Sequence, residues 1–283
     1  MRSTRSAAAL LVVAIAITAF AATGCDRGGT EAALTPKVKP PVIGKAGILR
    51  AAIDLTYPPY GGTVGGVKAG LDVDVASALA DRLGLKLQIV DAKPEAGAVM
   101  LRDGKVDVLI AGVPIDRAVQ LDVAFAGSYI NDGPALYSNT EATPTIDGLQ
   151  GKRIAVQKES AAFWLLAEEL GEDLLVVTPT LREALSTVAS GTVDFVAGDG
   201  VVAAYLLRDF PKLRFNGQLA PAVPVGVAVA RDRAELEQAV RAALDELSSQ
   251  GVLETLRRKW MGELPRLSGA SETSSSIEGT TQP

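Results

Sequence analysis

The sequence predicts an α/β fold of two similar lobes, each a mostly parallel sheet flanked by helices. Apolar and β-branched runs of strand length alternate with segments of helical periodicity through most of the chain, which is the pattern of parallel α/β sheets. A Gly-x-Val-Asp sequence leading into an apolar run occurs twice, at residues 104–107 and 191–194, each time after a predicted helix. The repeat is short enough to arise by chance, but two lobes in series explain it.

Five elements are predicted in the first half: a strand at 48–53, a helix at 72–83, a strand at 85–90, a helix at 95–102 and a buried strand at 106–111. The helix at 72–83 is predicted because Val75, Leu79 and Leu83 share one face, and because Gly84 follows as a typical helix end.

The second half repeats the alternation, with strands at 153–157, 174–178 and 193–197 and helices at 160–170 and 181–190. A strand at 225–230 closes a sheet, and helices follow at 232–249 and 251–260. Ligands of such sheets bind at the carboxyl ends of the strands. The facing loop ends of two lobes therefore predict a ligand-binding cleft.

Composition excludes several classes of function. The chain has 283 residues, enough for about two domains. Its net charge of −5 argues against a broad basic surface for nucleic acid. The sequence contains no histidine, which removes histidine-based triads, metal ligands and proton shuttles. We expect neither a metal nor another cofactor.

Residues 1–24 have the features of a signal peptide. Two arginines precede an uncharged, mostly apolar run at 7–20, which is too short to span about 30 Å of hydrocarbon. The run leads to Ala-Thr-Gly-Cys at 22–25, which resembles a lipobox, so we predict a lipid anchor on Cys25. The alternative is a cleaved secretory signal with an incidental cysteine, because Ala22 stands where a large aliphatic residue is usual.

Two further segments are predicted to lie outside the folded part. Residues 25–46 are rich in Gly, Pro, Lys and Thr without a period, which indicates a flexible tether. Residues 266–283 contain a Ser-rich stretch among Gly and Thr, which indicates a disordered tail.

A family resemblance runs through the folded part, in register and nearly without gaps. Its segments are LRAAIDLTYPPY at 49–60, GLDVDVASALADRLGLKL at 70–87, GKVDVLIAG at 104–112, LQGKRIAVQKES at 149–160, GTVDFVAGDGVVAAYLL at 191–207 and GVLETLRRKWMG at 251–262. Together they resemble the polar amino-acid-binding family of periplasmic-type solute-binding proteins, the receptors that feed ABC importers.

The resemblance implies a type II periplasmic-binding-protein-like fold. Lobe 1 would comprise residues 47–131 and 225–265, and lobe 2 residues 132–224, joined by two crossover strands. It also implies a monomer outside the cytoplasm that binds a small molecule, delivers it to an ABC permease and is not an enzyme.

Site residues follow from the resemblance position by position. Asp54 and Tyr57 end the first strand, where the family contacts the ligand side chain. Asp199 matches the carboxylate that holds the ligand ammonium, and a carboxylate in a cleft suits a cation. Gly112 and Ser160 match loop positions that line the cleft. Three of these positions have plainer interpretations: a turn cap for Asp54, core packing for Tyr57 and a turn residue for Asp199.

The chain departs from the family where a ligand carboxylate is held. The hydroxyl position is Pro114 and the arginine position is Val119, while Arg117 lies two residues early. In the second lobe, the paired threonines become Ser160 and Ala161. We therefore expect a ligand with an amine facing Asp199 and no clamped α-carboxylate, because an unpaired, desolvated carboxylate costs several kcal/mol. A standard amino acid bound through Arg117 remains open.

Two aromatic questions also stay open. Pro94 stands where the family often has a stacking aromatic residue. Phe163 and Trp164 follow Ser160 and either line the cleft or belong to the core of a helix.

Two other functions use the same fold. A sensory receptor would pass its signal to a membrane partner by docking. A dehydratase-like enzyme would need a general acid or base and the carboxylate-binding arginine, and Val119 occupies the position of that arginine.

Overall fold

The computed structural model describes residues 34–269, which form two five-stranded sheets and a short hairpin. With strands numbered in chain order, the first sheet contains β1 Ile48–Ile53, β4 Lys86–Asp91, β5 Val108–Leu109, β6 Ala124–Asp132 and β12 Val223–Val229. Their spatial order is β4-β1-β5-β12-β6. The hairpin joins β2 Gly62–Val64 to β3 Val67–Ala69.

The second sheet contains β7 Pro134–Ser138, β8 Ile154–Gln157, β9 Leu175–Thr178, β10 Phe195–Asp199 and β11 Arg214–Gln218. Their spatial order is β11-β7-β10-β8-β9. Each sheet has two parallel and two antiparallel strand pairs. The parallel pairs come from the strands of the βα alternation. The antiparallel pairs involve β6, β7, β11 and β12, where the chain passes between the sheets.

Helices flank both sheets: α1 Leu71–Leu83, α2 Pro94–Arg102, α3 Ala118–Leu121, α4 Ala161–Leu170, α5 Leu181–Ala189, α6 Gly200–Leu206, α7 Ala234–Ser249 and α8 Val252–Met261. The predicted face of α1 is buried, and Gly84 ends the helix in the left-handed region at φ 69°. Helix α8 contacts α1 and α7 beside the first sheet and α6 beside the second.

The predicted elements lie within two residues of the observed bounds at each end, and the largest relative difference is in the strand predicted at 106–111. Its ladder covers only Val108–Leu109. The flanking amides of Asp107 and Ile110 nevertheless donate to the carbonyls of Arg50 and Ala52 on β1.

The repeated Gly-x-Val-Asp sequence has the same local role in both halves. Asp107 accepts a hydrogen bond from the backbone amide of Arg50, at the start of the neighbouring parallel strand, at 2.9 Å. Asp194 accepts one from the backbone amide of Arg153, just before β8, also at 2.9 Å. In each half, the aspartate side chain therefore accepts a hydrogen bond from the backbone near the start of the neighbouring strand.

Two predicted boundaries need correction. Residues 34–46 are not a free tether, because Ile43 is fully buried and the Gly44 amide donates to Asp107 at 2.8 Å. The predicted tail begins too early, because Leu267 is buried and the Ser268 amide donates to Gln218 at 2.9 Å. In both segments, single apolar residues within a polar sequence are enough to anchor the chain.

Residues 1–33 and 270–283 lie outside the described part of the chain. The predicted signal peptide, the Cys25 anchor and most of the predicted tail therefore have no structural description. Between residues 34 and 269, no helix combines the length and apolar character needed to cross a membrane.

Candidate functional site

The carboxyl end of β10 meets the loop after β1. Asp199 ends β10 and caps α6, because its Oδ1 accepts from the backbone amide of Val202 at 2.7 Å. The Tyr57 hydroxyl lies 3.4 Å from Oδ2 of the same carboxyl. The structure therefore brings together two of the residues predicted from the sequence, one from each half of the fold.

A second carboxyl group, Asp132, lies at the same place. It is the last residue of β6. Its Oδ2 accepts from the Tyr60 hydroxyl at 2.6 Å, and its Oδ1 accepts from the amides of Gly133 at 2.8 Å and Val201 at 3.1 Å. Asp132 and Asp199 accept from the consecutive backbone amides of Val201 and Val202 in the first turn of α6, so the two carboxyl groups are neighbours. Sequence reasoning missed Asp132, which ends a crossover strand rather than a strand of the βα alternation.

Electrostatics make this pair unusual. Burial raises the pKa of Asp199 well above its ordinary value, and the negative charge of Asp132 raises it further. Burial also raises the pKa of Asp132. Among residues 34–269, no lysine or arginine makes a hydrogen bond or an ion pair with either carboxyl group. The site is therefore acidic and lacks an internal counter-ion.

Two tyrosines cover the acidic pair. Tyr57 and Tyr60 stack with ring centroids 5.3 Å apart and an interplanar angle of 18°. Tyr60 is buried, whereas Tyr57 is 39% exposed and presents an aromatic face to the outside. Burial is the main reason why the pKa of both phenols is raised, so both hydroxyls remain donors.

Gly112 supports the tyrosines instead of facing Asp199. Its φ is +61°, and a Cβ there would lie only 3.0 Å from the Tyr60 ring. A larger residue would therefore push the ring away from Asp132.

Asp54 caps the turn that follows β1. Its Oδ1 accepts from the backbone amide of Thr56 at 2.8 Å and from the Thr56 hydroxyl at 2.6 Å. The residue is 8% exposed. Asp54 therefore holds the shape of the loop that carries Tyr57.

A further acid, Asp72, is buried in the first turn of α1. It is fully inaccessible, and burial raises its pKa to about 7. Its Oδ1 accepts from the Tyr129 hydroxyl at 2.5 Å, while its Oδ2 has no hydrogen-bond partner within the described part of the chain. Asp72 therefore keeps its proton to a higher pH than an ordinary aspartate does.

Ser160 caps α4. Its hydroxyl oxygen accepts from the Phe163 amide at 3.1 Å, which is the usual bond of an N-cap serine. The two aromatic residues that follow differ in environment: Phe163 is buried in the core of the second half, whereas Trp164 is 60% exposed. Of the two alternatives left open by the sequence, Phe163 therefore follows the helix-core one.

Arg117 bonds to polar side chains other than those of the acidic pair. Its guanidinium forms an ion pair with Glu95 at 2.9 Å and donates to Gln120 at 3.0 Å, and the hydrogen bond from Arg117 lowers the pKa of Glu95. Val119, at the position of the family arginine, is 84% exposed. Both observations agree with the predicted loss of a carboxylate clamp.

Most of the residues described above cap turns or helices, or support side chains, around a small acidic centre. The centre itself consists of Asp132, Asp199, Tyr57 and Tyr60. Two carboxyl groups and two phenols in a partly desolvated setting can accept hydrogen bonds from a cation and stack on its apolar part. Within residues 34–269, no lysine or arginine bonds to either carboxyl group of this centre, so it offers an anion no cationic partner.

Comparison with known proteins places the fold. The family model for bacterial extracellular solute-binding proteins, family 3, matches residues 49–263. The L-cystine-binding protein TcyJ of Escherichia coli K12 is 28% identical over 264 residues, covering 90% of this chain and 92% of that protein. The L-arginine-binding protein of Pseudomonas aeruginosa is 28% identical over 226 residues, covering 75% and 87%.

A solved structure is similar over the same region. An ancestral cationic amino acid solute-binding protein aligns with a TM-score of 0.67 and 26% identity. The alignment covers 76% of this chain and 96% of that protein.

Proposed function

The chain belongs to family 3 of the bacterial extracellular solute-binding proteins, and from this premise we propose that it captures a small cationic solute with no carboxylate to be clamped. Proteins of this family serve amino-acid ABC importers as their substrate-binding component. The proposed solute is an amine or guanidine, such as a decarboxylated amino acid. It would lie between the two lobes, against Asp199 and the exposed face of Tyr57.

One observation carries this proposal: an acidic pair with no internal counter-ion. Asp199 ends the central strand of the second sheet and Asp132 ends β6 of the first sheet, and neither is paired with a lysine or arginine of the described chain. The one arginine near the family position is bound to Glu95. An α-carboxylate would thus enter a site of like charge without a partner, which is unfavourable.

Matched pairs of solutes test the proposal. Each pair contains an amino acid and its decarboxylated form: arginine and agmatine, lysine and cadaverine, ornithine and putrescine. A ligand at 100 times its Kd stabilises the folded protein by about 2.7 kcal/mol, which thermal unfolding detects. We expect stabilisation by a decarboxylated member and little by its parent. Stabilisation by the parent amino acid alone would refute the proposal.

We further propose that the protein is anchored by lipid at Cys25 and delivers its solute to a membrane permease. The sole cysteine of the chain falls at the end of the signal-like segment. The family places the protein outside the cytoplasm. A lipid anchor would keep the receptor near the permease without a membrane-spanning helix.

We propose binding rather than catalysis. The carboxylate-binding arginine that a dehydratase-like reaction needs is replaced by Val119, and Arg117 is engaged with Glu95. Incubation of the purified protein with the solutes above, followed by NMR of the mixture, tests this. We expect each solute to be recovered unchanged.

A further inference from the structure

We infer that Asp132 is a second ligand-binding carboxylate: Asp132 and Asp199 share one proton in the ligand-free protein, and the cationic group of the solute takes the place of that proton. The inference rests on the proposed function, because it names the chemistry by which the same cleft recognises its solute.

The backbone holds the two carboxyl groups together. Asp199 pairs with Pro134 across the ladder between β10 and β7. The Gly200 amide donates to the Gly133 carbonyl at 2.9 Å. The Asp132 side chain then reaches the Val201 amide at 3.1 Å. The first two contacts join backbone groups and the third joins the Asp132 carboxylate to a backbone amide, so the fold brings both carboxyl groups to the start of α6.

Hydrogen-bond donors are divided unequally between the two groups. Asp132 accepts from two backbone amides and from Tyr60, all within 3.1 Å. Asp199 accepts from the Val202 amide at 2.7 Å and only distantly from Tyr57, at 3.4 Å. Three donors favour the ionised form of Asp132. The shared proton therefore resides mainly on Asp199 and is donated to Asp132.

Among residues 34–269, no lysine or arginine bonds to either carboxyl group of the pair. The phenols of Tyr57 and Tyr60 face the pair from the loop after β1. Tyr137 on β7 is buried nearby, and its pKa is raised by burial and then by the charges of Asp132 and Asp199. Asp72 and Tyr129 lie behind, and every one of these groups is neutral or acidic. Two adjacent carboxylates in such a site cannot both ionise readily, so a proton or a ligand cation must lie between them.

Exchange of a proton for a cation links binding to pH. Below the pH at which the pair loses its proton, the solute competes with that proton, so affinity rises up to tenfold for each pH unit. Above that pH the affinity becomes constant. A guanidinium group is well suited to this role because its planar fork donates to two acceptors at once.

Calorimetry with agmatine tests the exchange. Binding is measured at pH 6 in two buffers of different ionisation enthalpy, which gives the number of protons released. We expect about one proton per agmatine for the wild-type protein and clearly fewer for Asp132→Asn. The control is Asp72→Asn, which removes another buried acid outside the pair and should leave the release unchanged. Binding of agmatine without proton release would overturn the inference and leave the proposed function standing.

A second measurement needs no ligand. Carboxyl-carbon NMR on protein labelled at aspartate follows each titration in the wild type and in folded Asp132→Asn and Asp199→Asn variants. We expect the two groups to titrate as one coupled pair in the wild type, and Asp132→Asn to lower the pKa of Asp199, because the variant removes the neighbouring charge that raises it. Asp199→Asn should not lower the pKa of Asp132 in the same way, because it removes a donor to that carboxylate. Independent titration of the two groups would refute the shared proton. If agmatine does not bind, that result counts against the proposed ligand class. The titration still shows whether Asp132 and Asp199 share a proton.

Discussion

Asp107 receives four hydrogen bonds, three of them from Arg50, and joins the start of β1 to the turn before β5. The Arg50 guanidinium and backbone amide donate at 2.8–3.0 Å, and the side chains are 14% and 3% exposed. The fourth bond comes from the Gly44 amide at 2.8 Å. The equivalent Asp194 is exposed and caps only the Arg153 amide. The same sequence motif therefore carries different energetic weight in the two halves.

We expect Asp107→Asn to destabilise the protein far more than Asp194→Asn. Loss of one partner of a buried ion pair typically costs about 3–5 kcal/mol, whereas loss of one ordinary hydrogen bond costs about 0.5–1.5 kcal/mol. Chemical denaturation of both variants measures the difference. Equal losses would show that the buried pair contributes no more than the exposed cap.

The buried acid Asp72 should make the free energy of unfolding depend on pH. Its pKa is raised to about 7 in the folded protein, so the folded state binds the proton more tightly than the unfolded state. Its contribution to stability is therefore complete at low pH and falls by about 1.4 kcal/mol for each pH unit between about 4 and 7. Asp72→Asn should be more stable than wild type at pH 8 and lose this advantage toward pH 4.

The matched control for that prediction is Asp81→Asn, because Asp81 is an exposed residue of the same helix. This variant removes one aspartate charge without removing a buried carboxyl, so it shows how much of any pH trend comes from the loss of charge alone. Denaturant midpoints at several pH values, with both variants beside wild type, provide the measurement. A stability difference for Asp72→Asn that varies with pH no more than that of Asp81→Asn would mean that its carboxyl titrates normally.

Asp199 and Arg117 should differ strongly in their effect on binding. Removal of one side of a buried charge pair costs about 3–5 kcal/mol, so Asp199→Asn should weaken agmatine binding by roughly a hundredfold or more. Arg117→Ala should weaken it by less than about fivefold, since the pair with Glu95 is a partly exposed one. Calorimetry on both variants decides. The reverse order would identify an acidic ligand held by a displaced arginine.

Closure of the lobes should accompany binding. The chain passes between the sheets twice, between β6 and β7 and between β11 and β12, and two such connections form a hinge. Small-angle X-ray scattering with saturating agmatine should give a smaller radius of gyration than the free protein. An unchanged scattering profile at confirmed saturation would count against a hinge.

Cys25→Ala should release the protein from the membrane fraction of expressing cells. The expectation follows from the position of the sole cysteine after the signal-like segment. Fractionation and immunoblotting of wild type and variant measure it. If the variant stays with the membrane, the anchor lies elsewhere.

The βα alternation was readable from the sequence because each strand and helix has its own local period. The alternation also predicts β10, at 193–197 where the structure has Phe195–Asp199, whereas Asp199 itself was identified through the family resemblance. Asp132 did not follow from the alternation, because its partners are distant along the chain: Tyr60 is 72 residues before it and the Val201 amide 69 residues after it. Only the return of the chain through β6 places these groups together.

Two kinds of side chain were harder to interpret from the sequence. Asp54 and Ser160 match ligand positions of the family, but both hydrogen-bond to nearby residues as caps. Short polar side chains do this readily wherever a turn or helix begins. The sequence position alone cannot separate the two roles, because each role uses the same residue type at the end of a strand.

Asp132 is bonded to the Val201 amide of the second half, whereas Tyr57 and Tyr60 lie on the loop after β1. If the proposed hinge opens, Asp132 would stay with the second lobe and the two tyrosines with the first. An opening motion would therefore separate the two tyrosines from Asp132 and Asp199 and leave these two carboxyl groups next to each other. Binding would then take place in two steps. A cation would first bind the two aspartates in the open form, and Tyr57 and Tyr60 would cover it when the lobes close. The first step would select solutes by their positive charge, and closure of the lobes would then select among them by shape.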